Sequence, residues 1–231
     1  DIIKLNVMSN NVGIFNEGVA PVGIPPAGLA QGIIDWKSLI SENEQDIVFL
    51  QEVPNFVDDA LTLDTYTTLY KEIYPYYAQL NNFTGIASKI PFISIFKTTT
   101  TNRNWIASEI TVNKTEIGIA SVHLLAGATA GNIATRGTEA SEIIAHFSNN
   151  EFVIIGADLN TQNDTELDVW RNAGYKLANW GYFGELDTLI GGKYDNIMVK
   201  GGNISTTKVS PLIATSDHYP IYSKISFGKK N

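Results

Sequence analysis

The stretch Phe152-Val153-Ile154-Ile155-Gly156-Ala157-Asp158-Leu159-Asn160 places an apolar run directly before a carboxylate and an amide. The run from Phe152 to Ile155 predicts a short strand buried in a core. Residues two apart in extended chain share a face, so Asp158 and Asn160 are expected to point the same way. Such a pair is suited to holding a phosphate or a water molecule, although the same residue types are also favoured in turns.

Two of the three histidines also follow strand-like runs. His123 ends the apolar run from Ile117 to Val122, and His218 lies in Ser216-Asp217-His218-Tyr219-Pro220-Ile221. Imidazoles titrate near neutral pH and carboxylates bind hard cations, so strand ends that carry both suit metal-assisted proton transfer. Asp195, in Tyr194-Asp195-Asn196-Ile197, offers a carboxylate that would orient the His218 ring as a base. Taken alone, His123 is more often a structural residue than a catalytic one.

A further carboxylate, Glu52, follows the apolar run from Asp46 to Gln51 and so ends a predicted central strand. A Mg²⁺ or Ca²⁺ site needs such a ligand, although an isolated Glu at a strand end is more often an ordinary surface residue. Arg136, at the start of a predicted helix, is suited either to clamping a phosphate or to a salt bridge on an exposed helix. His146, on the same helix, is assigned a structural role facing solvent.

Length and composition set the broad class of the protein. The chain has 231 residues, of which 44% are hydrophobic, and we expect residues 1–231 to form a single domain. A net charge of -8 argues against binding DNA or acidic membranes through a broad basic surface. It does not exclude a phosphodiester substrate, because a bound cation supplies positive charge locally.

The chain contains no cysteine, so any metal ligands must be oxygen or nitrogen atoms. No apolar run is long enough to span a membrane, and a first residue other than Met suggests a processed, soluble form.

The predicted elements mix strands and helices throughout. Residues 2–12 predict a strand, and a Gly/Pro-rich loop (13–28) and a helix (32–42) join it to the strand at 46–51 in a β-α-β-like unit. Closely spaced later strands predict antiparallel hairpins. These strands are expected at residues 84–88, 92–98, 105–112, 116–124, 152–155, 194–199 and 219–227, with helices at 135–147 and 165–173. Two packed sheets with outer helices would bury such apolar runs.

Six short motifs occur along the chain at these predicted strand ends. They are Met8-Ser9-Asn10-Asn11-Val12-Gly13, Gln51-Glu52-Val53, Val122-His123-Leu124, Gly156-Ala157-Asp158-Leu159-Asn160, Tyr194-Asp195-Asn196-Ile197 and Ser216-Asp217-His218-Tyr219-Pro220. In this order they resemble the endonuclease/exonuclease/phosphatase superfamily typified by deoxyribonuclease I. The segment Gly85-Ile86-Ala87-Ser88-Lys89-Ile90-Pro91 is similar to the mid-chain strand of that family. The resemblance therefore spans nearly the whole chain.

The resemblance implies a fold and a cofactor. It implies an α/β fold, a four-layered αββα sandwich of two mostly antiparallel mixed sheets flanked by helices, with a cleft at one edge. It also implies hydrolysis of phosphodiesters or phosphomonoesters with Mg²⁺, with Mn²⁺ or Ca²⁺ as alternatives. By motif match, Glu52 would be the metal ligand, and Asn11 and Asp217 would lie near the metal or its waters.

The same resemblance implies roles for the remaining motif residues. Asp158 and Asn160 would position the attacking water and the scissile phosphate. His218, paired with Asp195, would transfer protons, and His123 would bind phosphate oxygens or act as the general acid. Phosphoryl attack needs an activated water, charge neutralisation and a protonated leaving group, and this set of residues supplies all three.

One departure and one local similarity refine these expectations. Some family members carry a metal-binding acid two residues after the motif Asn, where this chain has Gly13, which leaves the number of metal ions open. The segment His123-Leu124-Leu125-Ala126, followed by Ala130-Gly131-Asn132-Ile133 and Arg136, resembles a loop of the cytolethal distending toxin catalytic subunits. That similarity favours a small bacterial enzyme that is secreted or extracytoplasmic.

Three functions are consistent with these features. The leading hypothesis is a monomeric, Mg²⁺-dependent, non-specific endonuclease that hydrolyses the DNA backbone by direct attack of water. The alternative is a phosphatase or phospholipase C-type enzyme acting on inositol phosphates or sphingomyelin-like lipids, for which no apolar hairpin is evident in the sequence. A binding module without catalysis ranks last, because the motifs are intact apart from the Gly13 position.

Overall fold

The computed structural model describes residues 2–13, 34, 38–39, 45–53, 73–80, 84–98, 105–181, 183–189, 192–210 and 216–228. Within these residues the structure has two six-stranded sheets. The strands are β1 (Ile2–Asn11), β2 (Ile47–Gln51), β3 (Tyr76–Leu80), β4 (Thr84–Ser88), β5 (Phe92–Lys97), β6 (Ile106–Val112), β7 (Thr115–His123), β8 (Val153–Asp158), β9 (Tyr175–Leu177), β10 (Asp195–Lys200), β11 (Asn203–Val209) and β12 (Ile221–Gly228). The helices are α1 (Ala130–His146) and α2 (Asp168–Asn172), the latter preceded by a 3₁₀ turn (Asp164–Leu167).

Each sheet combines one parallel pair of strands with antiparallel neighbours. The first sheet has the order β11-β12-β1-β2-β4-β3, and the second has the order β5-β6-β7-β8-β10-β9. The parallel pairs, β1 with β2 and β7 with β8, occupy the centre of each sheet, and the other neighbours run antiparallel. The expected pair of mostly antiparallel mixed sheets is confirmed.

This topology brings the motif residues to one edge of the molecule. The four central strands β1, β2, β7 and β8 end at that edge, and each carries its motif at its C-terminal end. Strand β10 runs antiparallel to β8, and β12 runs antiparallel to β1, so both begin at the same edge. Asp195 is the first residue of β10, and His218 lies just before β12. Strand direction alone therefore gathers residues that are far apart in sequence.

Apolar side chains fill the space between the sheets and cover their outer faces. Alternate residues of β1, among them Ile3, Leu5 and Val7, point into the layer between the sheets. Helix α1 packs on the outer face of the second sheet through Ala140 and Ile143, where Trp170 of α2 joins the same cluster. Residues on the outer face of the first sheet, including Met8 and Val48, form a third cluster with Leu39. The sandwich with outer helices is thus confirmed.

Several element boundaries differ from the sequence-based expectations. Strands β4 and β5 do not form a hairpin, because the chain crosses from one sheet to the other through Lys89–Pro91. Helix α1 begins at Ala130 rather than at residue 135, since the Thr129 side chain accepts a hydrogen bond from the Asn132 amide and caps it. The edge strands β3, β9 and β11 were not predicted, because their short or polar runs give only a weak alternating pattern.

Part of the predicted β-α-β unit lies outside the described residues. That part is most of the loop at 13–28 and most of the helix at 32–42, although residues 34, 38 and 39 are helical. The parallel pairing of β1 and β2 is the arrangement that such a unit requires. In the parts of the chain that the structure describes, no helix is long and apolar enough to cross a membrane.

Candidate active site

The carboxylate of Asp158 lies at the centre of the motif residues. It ends β8 and is buried, with 1% of its surface exposed. Its Oδ2 atom is 3.5 Å from Nε2 of His123 and 3.8 Å from Nε2 of His218. Burial alone would raise the pKa of Asp158, but the two imidazoles and two hydrogen bonds outweigh it and lower the pKa. Asp158 is therefore held as a carboxylate between two rings.

Asn11 joins the two sheets at this point. Its Nδ2 atom donates hydrogen bonds to Oδ2 of Asp158 at 2.9 Å and to Oε1 of Glu52 at 3.1 Å. Its Oδ1 atom accepts a hydrogen bond from the Gly13 amide at 2.9 Å, so the amide group is fixed in this orientation. Asn11 thus orients two carboxylates with its nitrogen, and its oxygen is engaged by the backbone.

The Gly13 position has a structural explanation. Its φ of +55° is in the left-handed region, where a residue with a side chain is strained. A Cβ atom at this position would also lie 3.2 Å from Oγ of Ser216. An acidic residue would therefore be disfavoured here, which accounts for the departure from the pattern of some family members.

His218 and Asp195 form a buried pair. Nδ1 of His218 lies 2.7 Å from Oδ2 of Asp195, and Asp195 is fully buried. Burial alone would lower the pKa of His218, but Asp195 and Asp158 raise it to about 10. Burial also raises the pKa of Asp195, despite its bond to the ring. Without a cation nearby, the pair therefore holds a proton at neutral pH, with Nε2 of His218 facing Asp158.

The loops before β10 and β12 hold this pair in place through residues that the sequence did not single out. The buried Thr188 accepts a hydrogen bond from the Asp195 amide through its side chain at 2.9 Å. Its carbonyl oxygen accepts another from the Tyr219 amide at 2.6 Å. Ser216 donates from its hydroxyl to the Asn11 carbonyl at 2.6 Å and accepts from the His218 amide at 3.0 Å. Ser216 belongs to the motif that contains His218, which is the signal that could have found it, whereas no sequence pattern marks Thr188.

A second set of buried polar side chains lies beneath the site, between the sheets. Nε2 of Gln51 is 3.1 Å from Oγ of Ser121 and 3.3 Å from Oγ of Ser9. The Ser121 hydroxyl donates to the carbonyl oxygen of Leu50 at 2.7 Å. These bonds connect β2, which leads to Glu52, with β7, which leads to His123. Gln51 belongs to a quoted motif, but its role between the sheets was not predicted.

Asn160 lies beside the cluster, as predicted. Its amide donates to Oδ1 of Asp158 at 2.9 Å, and its side-chain nitrogen donates to the Leu124 carbonyl at 2.9 Å. Its φ of +50° is left-handed, so the chain turns sharply after β8 instead of continuing as a strand. The turn alternative is therefore the one that holds: Asp158 ends the strand, and Asn160 lies in the turn rather than in extended chain on the same face.

The structure does not support a phosphate clamp at Arg136. Its guanidinium is buried and forms a paired contact with Glu166, at 2.8 Å and 3.1 Å. It also donates to the carbonyl oxygens of Leu125 at 3.0 Å and Gly127 at 2.6 Å. The expected phosphate-binding role is corrected to a structural one, because most of its donors already have partners. The alternative of a salt bridge holds, although the pair is buried rather than on an exposed helix face.

The donor set fits a divalent cation. One ligand atom from each of Asp158, Asp195 and His218 lies within 4.8 Å of the others, a different set from the predicted Glu52, Asp217 and Asn11. Asp195 and His218 are engaged with each other, whereas the side chains of Glu52 and Asp217 are 38% and 43% exposed and open to a ligand. For that reason Glu52 and Asp217 remain the preferred candidate ligands, with Asp158 beside them. Hard oxygen donors of this kind suit Mg²⁺, Mn²⁺ or Ca²⁺.

Comparisons with known proteins agree with this fold. The model of the endonuclease/exonuclease/phosphatase family matches residues 6–218, so the chain belongs to that family. No functionally curated protein matches the sequence. Members of the family are phosphoester hydrolases that generally depend on a divalent metal ion.

Solved structures of the same fold are similar over nearly the whole chain. A humanised TDP2 of D. rerio has a TM-score of 0.72 at 18% identity, covering 96% of this chain and 98% of that one. The human nocturnin catalytic domain has a TM-score of 0.73 at 16% identity, covering 99% of this chain and 97% of that one. A family protein from Beutenbergia cavernae has a TM-score of 0.78 at 15% identity, covering 97% of this chain and 72% of that one. At such identities the similarity shows the fold.

Proposed function

We propose that the protein is a divalent-metal-dependent endonuclease that hydrolyses the phosphodiester backbone of DNA by direct attack of water, with Mg²⁺ as its metal ion. The observation that carries this proposal is the position of Asp158, a buried carboxylate with an imidazole 3.5 Å away on one side and another 3.8 Å away on the other. A carboxylate and two rings so placed can handle both protons of a hydrolysis, one taken from water and one given to the leaving group.

In the proposed reaction, each of the site residues has a separate role. Asp158, whose low pKa keeps it ionised, accepts a hydrogen bond from the attacking water and aims it at phosphorus. Asn160, fixed beside it by the bond to Leu124, contacts a non-bridging oxygen of the phosphate. Glu52 and Asp217 would hold the cation, which would supply positive charge near the phosphate and help to activate the water.

The two histidines serve the remaining proton transfers. Nε2 of His218 faces the Asp158 carboxylate, and Asp195 fixes its ring through Nδ1. With a raised pKa, His218 carries a proton that it can donate to phosphate oxygens or to the leaving group. Nε2 of His123 lies between Asp158 and Glu52, where it contacts the other phosphate oxygens. No covalent enzyme intermediate is required.

DNA is the preferred substrate for two reasons. A TDP2 structure of the same fold is described as a complex with a single-strand DNA product, at a TM-score of 0.68 and 16% identity. The site holds a complete set of groups for a phosphodiester, and backbone contacts need no base-specific surface. The net charge of -8 predicts weak binding, because few cationic side chains neutralise phosphates, so hydrolysis should be measured at high enzyme concentration.

A panel of phosphoesters tests this proposal. The protein is incubated with supercoiled plasmid, RNA, abasic duplex, inositol phosphates and sphingomyelin vesicles in Mg²⁺ at low ionic strength. We expect nicking of the plasmid that stops on addition of EDTA. Intact plasmid and intact abasic duplex at high enzyme concentration, together with hydrolysis of RNA, inositol phosphates or sphingomyelin, would reject the DNA assignment while keeping the phosphoesterase class.

One observation favours a lipid phosphodiester as a second candidate substrate. The edge strand β5 is exposed along most of its length, with Ile93, Ile95 and Phe96 at 54%, 49% and 42% exposure. The sequence had not suggested an apolar hairpin, and the exposed apolar surface here belongs to β5, which pairs with the mostly buried β6. Exposed apolar side chains of this kind insert into lipid interfaces. Release of phosphocholine from sphingomyelin vesicles, lost when Phe96 and Ile95 are changed to Ser, would support this candidate.

A further inference from the structure

A groove of about 370 Å³ opens beside the candidate active site. Asn160 lines one end of it, and Gln162, Tyr194 and Ile133 line its walls. The buried pair of Arg136 and Glu166 also borders the groove. Because Asn160 is bonded to Asp158 through its amide, a ligand in this groove lies next to the proposed phosphate position.

The described lining of the groove carries no unpaired charge. Arg136 and Glu166 are the charged residues among those that line it, and they neutralise each other at 2.8 Å. The neighbouring Lys193 bonds to Glu185 at 2.9 Å. A second phosphate or a quaternary ammonium group would find no opposite charge here. The groove therefore suits an uncharged part of the substrate.

The walls match a planar group with hydrogen-bonding edges. The Tyr194 hydroxyl accepts a hydrogen bond from Nε2 of Gln162 at 2.9 Å, so the aromatic ring and the amide lie side by side in the lining of the groove. The ring packs against Gly192 so closely that a Cβ atom there would collide with it, which fixes its orientation. Aromatic rings stack on nucleobases of any sequence, and amides bond to base edges.

From this geometry we infer that the groove binds the base of the nucleotide next to the scissile phosphate. The inference rests on the proposed phosphodiesterase function and adds a nucleoside subsite to it. It makes the enzyme prefer substrates with a base beside the cleaved bond over inositol phosphates or choline lipids. Stacking on Tyr194 gives little preference among bases, in keeping with non-specific cleavage.

Small substrates that differ only in the base test this inference. The 5′-p-nitrophenyl and 3′-p-nitrophenyl phosphates of thymidine carry a base on different sides of the phosphate, and the same two esters of 1,2-dideoxyribose have none. Tyr194→Ala removes the stacking surface, and Ile133→Trp fills the groove from its rim. We expect each variant to raise KM about tenfold for one thymidine ester and to leave hydrolysis of the corresponding dideoxyribose ester unchanged. Tyr194→Phe should keep a KM near that of the wild type.

The matched control is Tyr76→Ala, a tyrosine at 37% exposure on the edge strand β3. This variant should hydrolyse the esters with and without a base at the rates of the wild type. Equal losses on all substrates would mean that Tyr194 is only structural, and no loss on any would mean that the groove is empty during catalysis; either result overturns the inference.

A binding measurement separates this inference from the proposed function. If the wild type hydrolyses none of the esters, the phosphodiesterase proposal fails. Calorimetric binding of thymidine 5′-monophosphate, thymidine 3′-monophosphate and deoxyribose 5-phosphate in EDTA then decides the inference alone. Tighter binding of a thymidine nucleotide that Ile133→Trp abolishes supports the subsite, and equal binding of all three overturns it.

Discussion

Nδ1 of His218 lies 2.7 Å from Oδ2 of Asp195. Both side chains are buried, and the two residues are 23 positions apart in the chain. The bond leaves Nε2 of His218 as the ring atom that faces Asp158. This orientation depends on the charge of Asp195, since a neutral amide at the same place would leave the ring free to take either tautomer.

Replacement of that charge should remove most of the activity. We expect Asp195→Asn to lower kcat about a hundredfold or more, because a positioned acid or base contributes on this scale. The pH-rate profile should shift as well, since the raised pKa of His218 depends largely on Asp195. Asp168→Asn, on the exposed α2 helix, is the matched control and should behave like the wild type. An unaltered pH profile in Asp195→Asn would contradict the assigned role.

The protonation of His218 can be measured without a substrate. In EDTA, NMR titration should give His218 a pKa far above the ordinary value of 6.5, because neighbouring carboxylates favour the charged ring. A folded-state pKa that is raised stabilises the protein below the unfolded pKa, and this contribution is lost as the pH rises from about 6.5 to about 10. The free energy of unfolding should therefore fall over that range, and less steeply in Asp195→Asn. A His218 pKa near 6.5 would contradict this account.

The polar contacts between the sheets should stabilise the fold beneath the site. Ser121→Ala removes the hydroxyl that bonds to Gln51 and to the Leu50 carbonyl, so each of these two buried groups loses a hydrogen bond. We expect a loss of about 1–3 kcal/mol in the free energy of unfolding, measured with urea. Ser141→Ala, which removes an exposed hydroxyl on α1, should cost far less. Equal losses of unfolding free energy in the two variants would contradict a stabilising role of the bonds between the sheets.

Arg136 should matter for stability rather than for phosphate binding. Arg136→Met leaves Glu166 as an unpaired, largely buried carboxylate, which should cost about 3–5 kcal/mol of the free energy of unfolding. The half-buried Arg171 pairs with the exposed Asp164 and Asp168, and Arg171→Met should cost about 1 kcal/mol or less. A stable Arg136→Met variant with a raised KM would contradict this structural role and support phosphate binding by Arg136.

The sequence predicted the centre of the molecule better than its edges. The runs ending at Asp158 and His123 are apolar except for Ser121, and buried central strands give that pattern because both of their faces are covered. Edge strand β11 alternates with polar residues on its open face and was missed. Motif order located the residues of the site, but it did not locate Thr188 and gave no role to Ser216, because both roles depend on loop contacts. Burial of Arg136 depends on the distant Glu166, which spacing along the chain does not reveal.

The most direct test of the central claim is the rate of nicking of supercoiled plasmid in Mg²⁺ by matched histidine variants. His123 and His218 both face Asp158, whereas His146 stacks on Phe96 at 4.4 Å, away from the site. We predict that His123→Ala and His218→Ala each lose activity by about a hundredfold or more, and that His146→Ala nicks at the rate of the wild type. Equal nicking by all three variants would contradict the account.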